Sequence, residues 1–248
     1  MLTKGDQMLD ASPKTLVLVR HGQSTLNVAR TKTPIFFSSP EDRAPFVGIP
    51  DQKVTLSPKG RMEARGTGKG LSGRMASGFE YAYDSGYVRT VETLDLILEE
   101  LREMDPTQKA VRKHSILIRE RETGYTYCMT KPEVEAAFPW FQEYWDTLGP
   151  IFARPIGGES VADVIERVQI FLSEMFAETK GKRVLIVLHG RVLAAMRYLL
   201  EDWSYSELEA FLTGVSPINC GVTTYERNDK TNTLKLKEYN IPYYREYI

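Results

Sequence analysis

Cysteine is scarce in this sequence: Cys128 and Cys220 are the only two. Two are too few for a disulfide framework, and their spacing is not that of a metal site, so both read as buried free thiols. Long apolar runs are missing as well, since even the stretch from Val184 to Leu200 is broken by His189, Arg191 and Arg197, which excludes a membrane-spanning helix there. The opening residues, MLTKGDQMLDASPK, carry lysine but no apolar core of a secretory signal. Charge of one sign is lacking too: 32 Lys and Arg stand against 33 Asp and Glu, for a formal net charge of −1. That balance gives no reason to expect nucleic acid or an anionic membrane as partner. Internal repeats and low-complexity segments are absent. A chain of 248 residues suits one α/β core with an insertion. The expected setting is the cytoplasm, the expected partner a small molecule, and the one protein partner expected is a second copy in a homodimer.

Histidine is nearly as rare, with three in the chain, and two of the three fall at matching places. Leu16 to Asn27, LVLVRHGQSTLN, is an apolar run that ends abruptly in Arg20-His21-Gly22 and then small polar residues. It reads as a buried parallel strand delivering a nucleophile-capable side chain to its carboxyl end, where ligands of open α/β sheets sit. Gly22 marks a tight turn where backbone comes close to a neighbour, and Ser24 and Asn27 add hydrogen-bonding groups. Arg183 to Leu188, RVLIVL, is a second such run, ending in His189-Gly190 before a helical pattern. Two His-Gly turns at one sheet edge would face a common ligand, although a satisfied core histidine is the plain alternative for each.

The remaining chain alternates strand and helix signals. Residues 1–13 form a polar tail. Residues 28–54 hold no sustained period and read as a long ordered loop rich in Phe36, Phe37 and Phe46. A helix follows, with Ser57 as cap and Pro58 in its first turn. Phe79–Tyr83 reads as a strand, and apolar positions from Val88 to Leu101 mark an amphipathic helix. Arg89 sits in that helix's first turn, where a cation opposes the helix dipole unless it serves a bound anion. Ser115–Ile118 is read as a third strand, ending in Arg119-Glu120-Arg121-Glu122; either glutamate is a candidate, and Glu120 is nearer the strand end. Residues 125–156 are aromatic-rich and read as a cap over the site. Ser160-x-x-Asp163 has capping-box spacing and opens a helix through Glu178. Arg191–Glu201 and Ser204–Thr213 read as helices, and Cys220–Glu226 with Thr233–Tyr239 as closing strands.

Taken together, Arg20-His21-Gly22 with Ser24 and Asn27, Ser85-x-x-x-Arg89-Thr90, Arg119-Glu120, Gly157-Gly158-Glu159-Ser160 and His189-Gly190 resemble the histidine phosphatase superfamily, also called the phosphoglycerate mutase-like family. The likeness runs from about Leu16 to Tyr225. It implies a three-layer α/β/α sandwich with a mostly parallel central sheet and a cap inserted over the site, in a single domain. It also implies phosphohistidine chemistry of the histidine acid phosphatase type, with no metal and no organic cofactor. On that resemblance His21 is the nucleophile, Arg20 and Arg89 fork onto the phosphoryl oxygens, and His189, protonated by the bound anion, stabilises charge. Glu120 protonates the leaving alcohol and then activates water, while Asn27, Gln23 and Gly190 complete substrate binding.

Where the mutases carry a segment like N-E-R-H-Y-G, this chain has Arg119-Glu120-Arg121-Glu122-Thr123-Gly124, and the tract Thr31 to Val47 is longer than expected of a mutase. Both features favour a phosphatase acting on a small or medium-sized phosphorylated metabolite. A cofactor-dependent phosphoglycerate mutase is the alternative, and a silent phospho-ligand binding module a weaker one. His21, His189 and Glu120 also form a two-histidine-one-carboxylate donor set, but Arg20 and Arg89 beside it would repel a cation. Arg43, Lys131, Trp140 and Arg154 are expected to choose the substrate, and the many aromatics are expected to wall an apolar pocket.

Overall fold

The computed structural model describes residues 12–30, 36–75 and 77–248. Six strands make one sheet: β1 (Thr15–Arg20), β2 (Tyr81–Asp84), β3 (Val111–His114), β4 (Arg183–Leu188), β5 (Val222–Asn228) and β6 (Thr233–Ile241), in the order β3-β2-β4-β1-β5-β6. The first four in that order run parallel, and β5 and β6 are antiparallel additions at one edge. Nine helices among the described residues accompany the sheet: α1 (Thr25–Ala29), α2 (Pro40–Arg43), α3 (Pro58–Arg74), α4 (Val88–Met104), α5 (Lys131–Ala137), α6 (Phe141–Phe152), α7 (Val161–Thr179), α8 (Gly190–Leu200) and α9 (Tyr205–Thr213).

Residues 16–19 of β1 and 184–188 of β4 are apolar at every position because both faces of these strands are covered. Leu16 and Leu18 of β1 with Val184 and Ile186 of β4 pack against Val168, Leu172, Val192 and Met196 of α7 and α8. Val17, Val19, Leu185 and Val187, which point the other way, pack against Leu71 of α3 and Leu94 and Ile97 of α4. Alternate side chains of a strand face opposite sides, so a helix layer on each face demands an unbroken run of Leu, Val and Ile. Each such side chain, fully buried, contributes on the order of 1.5–3 kcal/mol.

This topology places the two His-Gly turns side by side. β1 and β4 are paired neighbours in register, with Arg20 opposite Leu188. The residues that follow both strands therefore leave the sheet together, and the His21 amide donates to the Leu188 carbonyl at 2.9 Å.

Several expectations needed adjusting. Ser115–Ile118 is not a strand: residues 111–114 form β3, and Ile116–Ile118 is a 3-10 turn. β3 pairs only with β2 and leaves Val111 exposed, so it shows no apolar run, whereas Ile118 is buried by packing with α7 residues. The tail expected through residue 13 is already held at Ser12, whose carbonyl accepts the Gly181 amide at 3.1 Å; residues 1–11 lie outside the described ones. The two insertions meet each other through a bridge between Phe37 and Thr130. Phe37 and Phe46 are spent on a buried cluster with Leu26 and Val54.

Candidate active site

A cavity of about 470 Å³ opens at the carboxyl ends of β1 and β4, lined among others by Arg20, His21, Asn27, Arg89, Glu120 and Gly190. Residues from five separate parts of the chain thus converge where the sequence placed a common ligand.

His21 is held by its own turn. Its Nδ1 lies 2.8 Å from the Gly22 carbonyl, and a carbonyl only accepts, so Nδ1 carries the proton and Nε2 keeps its lone pair. Burial, followed by Arg89 and Arg20, holds the imidazole well below its ordinary pKa, so the ring is neutral at physiological pH. Gly22 is required by a close approach, though to protein and not to ligand: a Cβ there would lie 2.5 Å from the Gly60 carbonyl oxygen in the first turn of α3.

His189 sits behind it, ring centroids 5.2 Å apart. Its tautomer follows from counting protons. Thr90 Oγ1 donates to the Tyr87 carbonyl at 2.8 Å, so in the 2.8 Å contact between Ser85 and Thr90 it is Ser85 that donates. Ser85 Oγ must then accept from His189 Nε2 at 2.8 Å, leaving the buried Nδ1 without a partner among the described residues. Burial, then Arg89, His21 and Arg20, depress this imidazole too. In the ligand-free protein His189 is therefore neutral, and the protonated form expected from the sequence has to await a bound anion.

The cations approach from different elements. Arg20 ends β1 and donates through Nη1 to the Pro217 carbonyl, with its Nε buried and without a partner among the described residues. Arg89, in the first turn of α4, is held end-on by Asp51, Nη1 to Oδ1 and Nη2 to Oδ2 at 3.0 Å each. Glu120 accepts the Arg121 amide through Oε1 at 2.8 Å and lines the cavity, whereas Glu122 is exposed and accepts from the Tyr87 hydroxyl at 2.9 Å. Asn27 spends Oδ1 on the Ser24 amide and on Asn219 Nδ2, so its own Nδ2 is the group left to donate into the cavity. Asn219 Nδ2 also holds the His21 carbonyl at 2.9 Å.

Not every expected residue arrives. Gln23 is absent from the lining; its Oε1 accepts from Ser57 Oγ at 3.0 Å, which ties the loop to the cap of α3. Arg43, Lys131 and Arg154 pair with Glu133, Glu135 and Asp163, and Trp140 is 52% exposed. Of the aromatics expected to wall the site, Tyr127 alone lines it. In their place stand Arg30, Arg121 and Arg191, so the cavity presents five guanidiniums against the carboxylates of Asp51 and Glu120. Arg191 was within reach of sequence reasoning: like Arg89 it is a cation in a helix's first turn, at the start of α8. Asp51 and Asn219 carry no local signal.

The sequence model of the histidine phosphatase superfamily, branch 1, matches residues 16–240. The chain belongs to the histidine phosphatase superfamily. Curated relatives include a 2,3-bisphosphoglycerate-dependent phosphoglycerate mutase of Bartonella bacilliformis, 32% identical over 231 residues, covering 90% of this chain and 97% of the relative. The mutase of the same name from Rhizobium etli is 31% identical over 192 residues, 75% of this chain and 80% of that one. Among solved structures, the α-ribazole phosphatase of Shigella flexneri superposes with a TM-score of 0.70 at 18% identity, over 92% of this chain and 96% of that one. Mycobacterial glucosyl-3-phosphoglycerate phosphatase with inorganic phosphate does so with a TM-score of 0.65 at 20% identity, over 93% and 99%. At these identities the structural likeness is one of fold.

For this member of the histidine phosphatase superfamily the two depressed imidazoles have a consequence for stability. The unfolded chain protonates both histidines as pH falls through about 6.5, while the folded, ligand-free protein takes up those protons only well below that. Stability from this source is complete above pH 6.5 and is lost on acidification, at about 1.4 kcal/mol per pH unit for each histidine. Denaturant titrations from pH 7.5 to 5.5 should therefore show a shallower loss for His189→Gln than for the wild type. Equal slopes would contradict the depressed pKa of His189.

Proposed function

We propose that the protein is a phosphomonoester hydrolase working through a phosphohistidine at His21, on a small or medium-sized phosphorylated metabolite that carries a second anionic group. The observation that carries the reaction is the arrangement of a neutral His21, with Nδ1 tied to Gly22, between the half-buried Arg20 and the buried Arg89 in the same cavity as Glu120. Nε2 attacks phosphorus in line, and the two guanidiniums hold the equatorial oxygens. Glu120 gives a proton to the departing alcohol. It then takes one from the water that breaks the nitrogen–phosphorus bond and releases inorganic phosphate.

The second anionic group is inferred from cations that the phosphoryl group does not use. Arg121 is buried, its guanidinium makes no hydrogen bond among the described residues, and burial and the neighbouring Arg191 push it down to about 10. Among the described residues Arg191 donates only to the Leu212 carbonyl, at 3.3 Å. A buried and a half-buried guanidinium facing one cavity repel each other until an anion arrives. A carboxylate or phosphate elsewhere on the substrate would satisfy both, which replaces the partly apolar substrate suggested by the aromatic content.

A mutase reading is favoured by the names of the curated relatives and is compatible with a doubly anionic ligand. The hydrolase is preferred because the cavity is lined by Thr123 at the place of the mutase segment's tyrosine, a shorter side chain that leaves room for water. The test is a panel of phosphomonoesters in matched pairs with and without a carboxylate, assayed with EDTA present and with 2,3-bisphosphoglycerate and 3-phosphoglycerate included. Hydrolysis should survive EDTA, since the arginines neutralise the phosphoryl charge. Arg191→Gln should raise KM for the carboxylate-bearing member about 10- to 100-fold more than for its partner, the effect of one charged hydrogen bond. Equal effects on both would remove the second anionic group, and efficient primed conversion of 3- to 2-phosphoglycerate would restore the mutase.

A further inference from the structure

Asp51 has a role that no part of the phosphoryl chemistry above requires. It stands at the start of the 3-10 turn Asp51–Lys53 that closes the long tract after α1. From there its carboxylate meets Arg89 through two bonds of 3.0 Å, while its own carbonyl accepts from Arg89 Nη1 at 2.7 Å. Arg89 is 4% exposed. Three of its five donor hydrogens are thus spent on Asp51, and the Nε–H and the second Nη2 hydrogen make no hydrogen bond among the described residues. An arginine that is to grip a phosphoryl group is therefore already held, in a fixed plane, by an anion that also lines the cavity.

The same carboxylate acts on its other neighbours. Burial lowers the pKa of Arg30 and raises those of Tyr87 and Tyr127; the Asp51 carboxylate, after Tyr127, opposes the shift of Arg30 and adds to those of the two tyrosines. Arg30 is stacked over Phe37 and Tyr127 and donates to the Tyr127 carbonyl. Without Asp51, Arg89 and Arg30 would stand near one another in a strongly cationic cavity where, among the described residues, Glu120 is the one carboxylate left in the lining beside five guanidiniums. Such a cavity favours free phosphate dianion, which is the product of the proposed hydrolysis. A site that binds product and transition state equally well gains nothing in turnover.

We propose that Asp51 is the counter-ion of Arg89, a positioning residue that fixes the guanidinium plane and holds down the affinity of the site for free phosphate. The proposal rests on the reading of the cavity as a phosphoryl site. It differs in sign from a merely structural role. If Asp51 only held Arg89 in place, removing its charge would loosen Arg89 and weaken phosphate binding. If it is a counter-charge, removing it strengthens phosphate binding, because a unit charge a few ångströms away in a partly desolvated site is worth at least a factor of ten.

The experiment is direct calorimetric titration of the purified protein with inorganic phosphate, for wild type, Asp51→Asn and Asp51→Glu, with thermal unfolding to show that each is folded. Asn retains an oxygen to accept from Arg89 but no charge, and is expected to bind phosphate about tenfold more tightly, with lower kcat as product release slows. Glu restores the charge and is expected to return Kd towards the wild-type value. Unchanged or weaker phosphate binding in Asp51→Asn would overturn the proposal while leaving the phosphoryl site standing. Wild-type protein that bound no phosphate at all would overturn both. Should Asp51→Asn fail to fold, Asp51→Ser, a smaller neutral residue, takes its place: tighter phosphate binding than wild type supports the counter-charge, and equal or weaker binding overturns it.

Discussion

His21→Ala is expected to lose turnover by at least about four orders of magnitude, the scale seen when a covalent nucleophile is removed and water has to attack directly. The loss should come without loss of fold. His21 follows β1 and among the described residues makes one side-chain hydrogen bond, to the adjacent Gly22 carbonyl, so alanine removes none of the described bonds between distant elements. The hydrogen bonds that seat the turn are made by backbone: the His21 amide to Leu188 and the His21 carbonyl to Asn219 Nδ2. The expected destabilisation is about 1–3 kcal/mol for a partly filled cavity, visible in denaturant unfolding but small beside the kinetic effect. Activity close to wild type in a folded His21→Ala would show that the phosphoryl group never resides on this residue.

Glu120→Gln is expected to separate two classes of substrate. An alkoxide is a poor leaving group and needs the proton that Glu120 delivers, so kcat/KM for an alkyl phosphate should fall about 10²- to 10⁴-fold. p-Nitrophenolate leaves without a proton, so kcat/KM for p-nitrophenyl phosphate should change by less than about tenfold. The second half of the cycle still needs a base, so with the aryl ester the variant should release one equivalent of nitrophenolate in a burst and then turn over slowly. Glu122→Gln should do neither, because that side chain is exposed and bonded to the Tyr87 hydroxyl. If Glu122→Gln showed the selective loss and Glu120→Gln did not, the assignment between the two would be reversed.

The parts of this molecule that were legible in the sequence are those whose cause is local. β1 and β4 are buried on both faces, so each is written as a continuous apolar run, and the His-Gly pair at each end marks where the sheet stops and the site begins. The capping box of α7 is real, with Ser160 Oγ and Asp163 Oδ2 exchanging backbone hydrogen bonds, because its partners are three residues apart. β3 was missed because an edge strand paired on one side need not be apolar, and Val-Arg-Lys-His has no pattern to show.

Composition misled where it had to stand for geometry. Aromatic residues near a site can face it, face each other or face solvent, and the sequence does not distinguish these cases. Phe37 and Phe46 chose each other, 5.4 Å between centroids, and Tyr125 is 74% exposed. The arginines that took their place were visible but unranked: Arg191 repeats the signal that singled out Arg89, a cation where the helix dipole disfavours it. Asp51 and Asn219 act across 38 and 198 positions of chain, and only the assembled sheet brings such residues to the same edge.

The central claim is that phosphate passes through His21, and trapping the intermediate tests it most directly. Wild-type enzyme mixed with p-nitrophenyl phosphate, quenched within the first turnover and digested, should yield a phosphorylated peptide containing His21. The phosphate should be stable to base and lost in acid, as a phosphoramidate is, absent from His21→Ala and more abundant in Glu120→Gln. An active enzyme that showed no phosphorylated peptide, or phosphate stable to acid on a hydroxyl such as Ser24, would contradict the account.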